Sequence, residues 1–230
     1  MSVKTLLALD FSTSFRTVAL MEIGTRKLLA CSSKSTASVP TSTAEVEGIH
    51  FIINELLKNA GLTRENVQVL SLGIGPGSYT GVRSTIALAQ GWSLSANIKL
   101  AAVSTLDALS FRANRLGWGG RYHILVDAQR EEYYHAVYNA ADTFTLPCAL
   151  DPVQILPKES LLPLFNENEK VGGPDIGESF PGIHPLYPQA EDIGLISLLQ
   201  NNFIQPENLS PIYLRPPQFA KAKPYRTLPL

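Results

Sequence analysis

The sequence predicts an α/β fold with mixed sheets, built from two related halves, and three observations lead to that prediction. Apolar strand candidates alternate with amphipathic helices over residues 6–116, an order typical of α/β layering. A strand-turn-strand pattern at residues 5–19 recurs without a gap at residues 122–136, which indicates an ancient duplication. Hydrophobic residues make up 45% of the chain and charged residues 17%, so the chain can build a sizeable core.

Apolar runs and helical periodicity predict the elements of the first half. Strands are expected over residues 6–10, 17–23, 28–33, 67–74 and 98–103. Helices are expected over residues 43–60, 82–96 and 105–116. Ser42 and Glu45 have capping-box spacing before the first helix, and Gly61 is a suitable stop after it. Three strands, then alternating helices and strands, indicate a mixed sheet.

The second half begins with the repeated hairpin. Asp10 ends the first apolar run, and Asp127 ends the matching run. Glycines between residues 116 and 121 mark a boundary between two lobes. We therefore expect an N-terminal lobe of residues 1–118 and a C-terminal lobe of residues 119–230.

The rest of the C-terminal lobe is rich in proline, since most of the 16 prolines follow residue 145. Strands are expected near Val153 and Val171, and a helix over residues 191–201. The final segment, from Pro211 onward, is expected to be extended because proline disfavours helix in the residue before it.

Composition excludes several classes of protein. The net charge of −1 gives no basic excess of the kind that marks nucleic-acid-binding domains. No apolar run reaches the length of a membrane-spanning helix, and the N-terminus lacks the apolar centre of a signal peptide. Cys31 and Cys148 are expected to be reduced, small core residues, which fits a cytoplasmic protein without a membrane partner.

The most informative segment is the glycine-rich loop Gly73-Ile-Gly-Pro-Gly-Ser-Tyr-Thr-Gly-Val-Arg83. It fits neither a P-loop, nor the dinucleotide fingerprint, nor a nucleophile elbow. It is either a tight strand-to-helix turn whose arginine meets an internal carboxylate, or a loop whose arginine pairs with a bound anion. The residues expected to matter in it are Gly75, Gly77, Ser78, Thr80, Gly81 and Arg83.

The turn after the first strand carries a second candidate site. Asp10, Ser12 and Thr13 either hold Mg²⁺ or contact nucleotide phosphates, or they shape the turn through side-chain-to-backbone bonds. The matching turn after Asp127 has long side chains where a phosphate-binding turn needs glycine. That difference argues against a tight triphosphate site between the lobes.

Two helices offer a candidate partner surface. The helix over residues 82–96 carries small residues at helical spacing, and Gly91 within it costs roughly 1 kcal/mol relative to Ala. Such a glycine often lets another backbone approach closely. The alternative is that the chain itself covers both faces. The candidate interface comprises Ile49, Ile52, Ser84, Ala87, Leu88, Gly91 and Ser95.

The remaining candidates are weaker. Gly172 and Gly173 either let an adenine ring approach the backbone or form a turn. The four histidines include no pair at metal-ligand spacing, so we expect each to be a structural or surface residue. No metal site and no catalytic residue is predicted.

Several segments together resemble the bacterial TsaB (YeaZ) family. The resemblance rests on Leu7-Ala-Leu-Asp-Phe-Ser-Thr13, Gly75-Pro-Gly-Ser-Tyr-Thr-Gly-Val-Arg83, Ala89-Gln-Gly-Trp92, Val103-Ser-Thr-Leu106, Val126-Asp-Ala-Gln-Arg130 and Pro211-Ile-Tyr-Leu-Arg215. It implies the actin/Hsp70/sugar-kinase (ASKHA) fold, with two duplicated ribonuclease-H-like lobes. It also implies a non-catalytic subunit that supports formation of N6-threonylcarbamoyladenosine at position 37 of tRNA.

The resemblance further implies partners. They are a TsaD-like catalytic paralogue, a TsaE-like ATPase, and a second copy of the chain when it is alone. The pairing helices would lie at about 43–60 and 82–96. tRNA would be bound only through the complex. No cofactor would be required, although weak binding of ATP or ADP is allowed.

This sequence departs from the family at one helix. Many members carry a His where Glu45 stands, and the catalytic paralogue has His-x-x-x-His in that helix, where this chain has only His50. The departure favours a scaffold over an enzyme. An ATP-dependent small-molecule kinase of the same fold is the alternative, based on Asp10 and Asp127. A peptidase lacks a recognisable nucleophile and base.

Overall fold

A computed structural model describes residues 3–35, 44–139 and 145–214, and two five-stranded sheets form its centre. The first sheet has the order β3-β2-β1-β4-β5. Its strands are β1 (Thr5–Asp10), β2 (Phe15–Glu22), β3 (Leu28–Ser35), β4 (Val67–Gly73) and β5 (Lys99–Val103). β1 to β3 form an antiparallel meander, whereas β4 runs parallel to β1 and β5 runs parallel to β4.

The second sheet has the same topology. Its strands are β6 (Arg121–Asp127), β7 (Glu132–Asn139), β8 (Gln154–Pro157), β9 (Lys170–Gly173) and β10 (His184–Pro185). β6 to β8 form the meander, β9 is parallel to β6, and β10 is parallel to β9. The predicted mixed-sheet α/β fold with two duplicated halves is confirmed.

The two hairpins differ by one residue, so the prediction of a gapless repeat is wrong. Asp10 pairs with Thr17 across the first turn, whereas Asp127 pairs with Tyr133 across the second. The second turn is therefore one residue shorter. Sequence alone could not detect the change, because the two strands of each hairpin keep their apolar pattern on either side of it.

Among the described residues, four helices cover both faces of the first sheet: α1 (Ala44–Asn59), α2 (Tyr79–Ser95), α3 (Thr105–Arg115) and α5 (Ala190–Gln200). The short helix α4 (Lys158–Leu161) packs against β8 of the second sheet instead. Short 3₁₀ turns lie at Arg64–Asn66, Leu162–Leu164 and Pro206–Asn208. α1 and α2 pack on the face that carries Leu7 and Leu9. α3 and α5 pack on the face that carries Leu6 and Ala8. α3 also packs against Tyr122 of the second sheet, so it lies between the two sheets.

α2 begins three residues earlier than the sequence predicts. Ser78 is its N-cap, and the Ser78 hydroxyl accepts a hydrogen bond from the Gly81 amide at 3.2 Å. Apolar periodicity could not mark this start, because the first turn contains a tyrosine, a threonine and a glycine. Arg83 therefore lies beyond the first turn, where the helix dipole has little effect on a cation.

α5 returns to the first sheet, although the sequence places it in the C-terminal lobe. It contacts β1, β2 and β4, and its buried Asp192 forms an ion pair with Arg115 of α3. Gly194 permits this approach, since a Cβ there would lie 3.0 Å from a methyl of Leu6. The segment after α5 continues on the same sheet, where the Ile204 amide donates to the Leu100 carbonyl.

Other details of the prediction differ from the structure or lie outside it. Cys31 and Cys148 are exposed rather than buried, because β3 is an edge strand and residue 148 lies in a loop. The proposed capping pair, Ser42 and Glu45, falls outside the residues whose side chains are described. In the part of the chain that the structure describes, no helix is both long enough and apolar enough to cross a membrane.

Candidate functional site

The glycine-rich loop is a packing junction between β4, α2 and the turn after β1. A Cβ on Gly77 would overlap the Ser12 carbonyl, and a Cβ on Gly81 would overlap the Phe11 carbonyl. The Ser78 amide donates to the Ser12 carbonyl at 2.7 Å. Gly75 has a positive φ of 90°, a conformation that a residue with a side chain seldom adopts. The glycines are thus required for close contact within the chain.

Arg83 meets aromatic rings instead of the internal carboxylate that one sequence interpretation predicts. Its guanidinium carbon lies 4.1 Å from the centre of the Tyr79 ring and 5.8 Å from that of Tyr213. Its Nε donates to the Tyr213 hydroxyl at 2.8 Å. A guanidinium stacks well on an aromatic face, so the two tyrosines give this exposed cation partners although no ion pair joins it to a carboxylate among the described residues.

Asp10 lies inside the protein. Its side chain is fully buried, and one carboxylate oxygen accepts hydrogen bonds from the Ser12 amide at 3.0 Å and the Ser12 hydroxyl at 2.7 Å. The other oxygen has no partner among the described residues and lies against Gly73, where a Cβ would overlap it. Burial raises the pKa of Asp10 to about 6, because a charged carboxylate loses its hydration there.

A cleft of about 450 Å³ lies between the lobes near this turn. Its lining residues are Thr13, Ser14, Arg16, Gly77, Ser78, Tyr79, Val126, Asp127, Ala128, Gln129, Tyr134, Pro174 and Asp175. Of the three predicted nucleotide-contacting residues, only Thr13 lines the cleft. Ser12 is 2% exposed and bonds to Asp10, so those two side chains shape the turn.

Asp127, on the other side of the cleft, accepts hydrogen bonds from a residue of the turn that follows it. One of its carboxylate oxygens accepts from the Gln129 amide at 2.6 Å and the other from the Gln129 side-chain amide at 2.9 Å. Gln129, Arg130 and Glu131 all have positive φ, at 64°, 62° and 60°. Left-handed residues other than glycine cost roughly 1–2 kcal/mol each. The second lobe thus keeps a backbone shape that suits glycine while its residues carry long side chains.

Asp175 joins the two lobes across the cleft. It accepts hydrogen bonds from the Ser14 amide at 3.1 Å, the Ser14 hydroxyl at 2.6 Å and the Tyr187 hydroxyl at 3.0 Å. The preceding glycines are buried. A Cβ on Gly172 would lie 2.5 Å from the Trp118 ring, and one on Gly173 would overlap a β6 carbonyl. Both interpretations of this glycine pair are therefore wrong: Gly172 and Gly173 are the last residues of β9, and their contacts leave no room for an adenine ring.

The small-residue face of α2 lies open beside α1. Ala87, Gly91 and Ser95 are exposed, and no atom lies within 4 Å of a Cβ built on Gly91. The three residues line a groove of about 470 Å³, together with Leu88, Trp92, Ala96, His50 of α1 and the nearby Arg64 and Glu65. Phe51 of α1 is 64% exposed. The described part of the chain therefore does not cover this face.

Not every predicted interface residue lies on that open face. Ile49 is 5% exposed and belongs to the core under α1, so its predicted place on the partner surface is wrong. It lies on the apolar stripe of α1 that faces the sheet. Ile52 is half-buried against the same core. Ser84 is half-buried, and its hydroxyl donates to the Thr80 carbonyl within the helix at 2.8 Å.

Two histidines form a buried pair that the sequence did not reveal. His123 Nδ1 lies 2.9 Å from His135 Nε2, and His123 Nε2 lies 2.9 Å from a carboxylate oxygen of Glu169. Burial lowers the pKa of His135 to about 4, with a smaller contribution from the neighbouring His123. Within the described residues, no group of three or more His, Cys, Asp or Glu is arranged to hold a metal ion.

The contacts of Tyr79, Tyr213 and Asp175 have no counterpart among the site residues predicted from the sequence. Tyr79 and Tyr213 each lie inside a segment that carries the family resemblance. Their proximity, with ring centres 6.2 Å apart, depends on the chain's return to the first sheet. No local pattern predicts a contact across that distance in sequence.

Comparison with known proteins gives consistent matches. A model of the family described as TsaD, tRNA N6-adenosine threonylcarbamoyltransferase, matches residues 34–159. The tRNA threonylcarbamoyladenosine biosynthesis protein TsaB of Haemophilus influenzae is 34% identical over 130 residues, which are 56% of this chain and 52% of that protein. The Escherichia coli protein of the same name is 28% identical over 179 residues, 71% of this chain and 78% of that protein.

The solved structures agree. YeaZ from Pseudomonas aeruginosa superposes with a TM-score of 0.73 at 25% identity, covering 92% of this chain and 100% of that one. The match to the Haemophilus relative spans only about half of that protein's length, whereas the structural match extends through both sheets.

Proposed function

Because this chain belongs to the TsaB (YeaZ) group of the family that the TsaD model describes, we propose that it is a non-catalytic subunit in the biosynthesis of threonylcarbamoyladenosine in tRNA. It pairs with a TsaD-like catalytic paralogue, a TsaE-like ATPase joins the pair, and the assembly acts in the cytoplasm. In the absence of the paralogue, the same surface joins two copies of the chain.

The open face of α2 carries this proposal. A mid-helix glycine lowers helix stability by roughly 1 kcal/mol relative to alanine, and no contact within the described chain accounts for Gly91. A partner helix packed closely against residues 87–95 would account for it, because small residues let two helix backbones approach. Exposed Phe51 and Leu94, which is 90% exposed, are suitable apolar anchors for such a partner.

The cleft supports a scaffold over the alternative kinase. A kinase needs carboxylates that reach metal-bound phosphates. Asp10 is fully buried, and both carboxylate oxygens of Asp127 accept hydrogen bonds from Gln129. The proposed role requires no cofactor. The cleft of about 450 Å³ leaves room for weak binding of ATP or ADP.

Reconstitution tests this function. The full chain is mixed with the TsaD-like paralogue of the same organism, and the mass is measured by light scattering on a sizing column. The modification of tRNA is then measured with the paralogue and the ATPase, with and without this chain. We expect a mixed complex that replaces any homodimer, and modification that depends on the chain. Absence of a complex, together with magnesium-dependent ATP binding below millimolar concentration, would favour the kinase.

A further inference from the structure

A small aromatic pocket opens beside the glycine-rich loop, separate from the groove used in the proposed function. It encloses about 150 Å³ and is lined by Tyr79, Tyr134 and Tyr213, with Val82, Pro211 and Ile212 as its apolar walls. Tyr79 is 59% exposed and Tyr213 is 54% exposed. Large exposed side chains of this kind, gathered around a concavity, mark a binding surface.

Arg83 gives this pocket a fixed positive charge. Its stacking on Tyr79 and its hydrogen bond to Tyr213 hold the guanidinium at the rim. The bond to Tyr213 uses only Nε, so the Nη donors have no partner among the described residues. Two parallel N–H groups in a plane match the oxygens of a phosphate.

A tyrosine-lined pocket beside a guanidinium fits a ligand that has a planar ring and a negative charge. Proteins that recognise single-stranded RNA place unstacked bases on tyrosine rings and guanidinium planes, and contact the neighbouring phosphates with arginine. A protein partner would also use tyrosine and arginine as anchors, but a stable protein interface extends over about 800 Å² on each partner. Here a volume of about 150 Å³ suits a single planar ring, and three tyrosines line it.

The pocket is also distant from the proposed protein interface. Tyr79 starts α2 and Gly91 lies near its other end, which at 1.5 Å per residue separates them by about 18 Å along the helix. A helix packed over Gly91 would therefore leave the pocket accessible.

We propose that the pocket formed by Tyr79, Tyr134 and Tyr213 binds one unstacked base of a single-stranded RNA segment, while Arg83 pairs with an adjacent phosphate. The identification of that RNA as tRNA rests on the proposed function. The contact adds a direct RNA-binding role to a subunit otherwise expected to meet tRNA only through its partners.

Fluorescence anisotropy tests the inference with the full chain, alone and in the complex with the TsaD-like paralogue. The probes are a labelled tRNA hairpin with an unpaired loop, a fully paired duplex of the same stem, and adenosine monophosphate as competitor. Tyr79→Ala and Tyr213→Ala remove the rings. Tyr213→Phe keeps the ring and removes the hydrogen bond to Arg83. Leu162→Ala is the control, since it removes a side chain that is 54% exposed and lies outside both the pocket and the proposed partner face.

We expect each ring removal to weaken binding of the hairpin roughly five- to one-hundred-fold, Tyr213→Phe to have a much smaller effect, and Leu162→Ala to have none. The duplex should bind more weakly than the hairpin. Arg83→Gln should lower the dependence of affinity on salt by about one phosphate contact.

Any of four results would overturn the inference. The hairpin could bind the wild type and the ring variants equally, or bind neither the free chain nor the complex. Adenosine monophosphate could bind as tightly as the hairpin itself, which would make the pocket a mononucleotide site. Tyr79→Ala could abolish pairing with the paralogue while RNA binding persists, which would make the pocket part of a protein interface. Failure of the wild-type chain to pair at all would count against the proposed function and not against the pocket.

Discussion

At the scale of single residues, two glycines of α2 differ in their surroundings: Gly81 is crowded and Gly91 is open. A Cβ on Gly81 would overlap the Phe11 carbonyl, whereas a Cβ on Gly91 meets nothing within 4 Å. We expect Gly81→Ala to lower the free energy of unfolding by about 2 kcal/mol or more, because the backbone of the turn must shift. Gly91→Ala should raise it by about 1 kcal/mol through helix propensity.

Urea denaturation of the two variants beside the wild type measures this difference. Each change adds one methyl group to the same helix, so the pair is internally controlled. Equal effects of the two substitutions would mean that the glycine loop does not pack as described.

Asp10 and His135 contribute opposite pH dependences to stability. The pKa of Asp10 is raised from 3.8 to about 6 by burial, so its contribution is fully present below about pH 4 and is lost as the pH rises through 6. The pKa of His135 is lowered from 6.5 to about 4, so its contribution is present above pH 6.5 and is lost as the pH falls toward 4. Each amounts to about 2–3 kcal/mol, and the two largely cancel between pH 4 and 6.

Asp10→Asn should leave the contribution of His135 to the pH dependence of stability without its counterpart. An amide oxygen can still accept from Ser12, while the proton uptake of the carboxylate disappears. We expect the free energy of unfolding of the variant to fall by about 2–3 kcal/mol more than that of the wild type between pH 6.5 and pH 4. Urea titrations at several pH values measure it, and parallel curves for the two proteins would show that the Asp10 carboxyl is not buried as the structure has it.

At the scale of elements, periodicity predicted what local sequence determines. The strands of the first half and helices α1 and α3 lie within one or two residues of their expected positions, because their apolar residues repeat at the spacing of the element. β10 and α4 were not predicted, since they span two and four residues and carry no repeat. The assignment of α5 to a sheet could not be predicted, since its sequence shows only that it is apolar.

The position of α5 predicts how the chain can be divided. Without α5, the sheet face that carries Leu6, Ala8 and Met21 loses a cover made by Ile193 and Ile196. We expect a fragment of residues 1–118 to remain poorly structured alone and to gain stable structure when a fragment of residues 119–230 supplies α5. Circular dichroism and amide exchange measure this gain. A cooperative unfolding transition in the isolated 1–118 fragment would contradict it.

At the scale of the whole molecule, duplication explains the fold but not the function. The two sheets share one topology, and the shared hairpin places Asp10 and Asp127 at corresponding strand ends. Their environments differ in ways that spacing cannot reveal, because Asp10 is buried against Gly73 and Asp127 is bonded to its own turn. The sequence thus identified the loops that meet at the cleft. It could not predict that Asp175 and Ser14 bond across it.

The partner surface could be predicted only in part, for a related reason. The small-residue spacing on α2 identified Ala87, Gly91 and Ser95, which are exposed. The same reasoning misplaced Ile49, since a helix with apolar residues around most of its circumference does not show which of them faces the sheet. The exposed side chains of Leu94 and Phe51 also belong to this surface, and neither is among the interface residues predicted from the sequence.

Calorimetric titration of the TsaD-like paralogue with two variants at Gly91 tests whether this surface of the chain forms the proposed pairing. Gly91→Ala retains a small side chain, and we expect its affinity for the paralogue to stay close to that of the wild type. Gly91→Leu places a bulky group where a partner helix must approach, and should weaken binding about tenfold or more while the free chain stays at least as stable as the wild type. Binding of Gly91→Leu at wild-type affinity would contradict pairing through this face of α2.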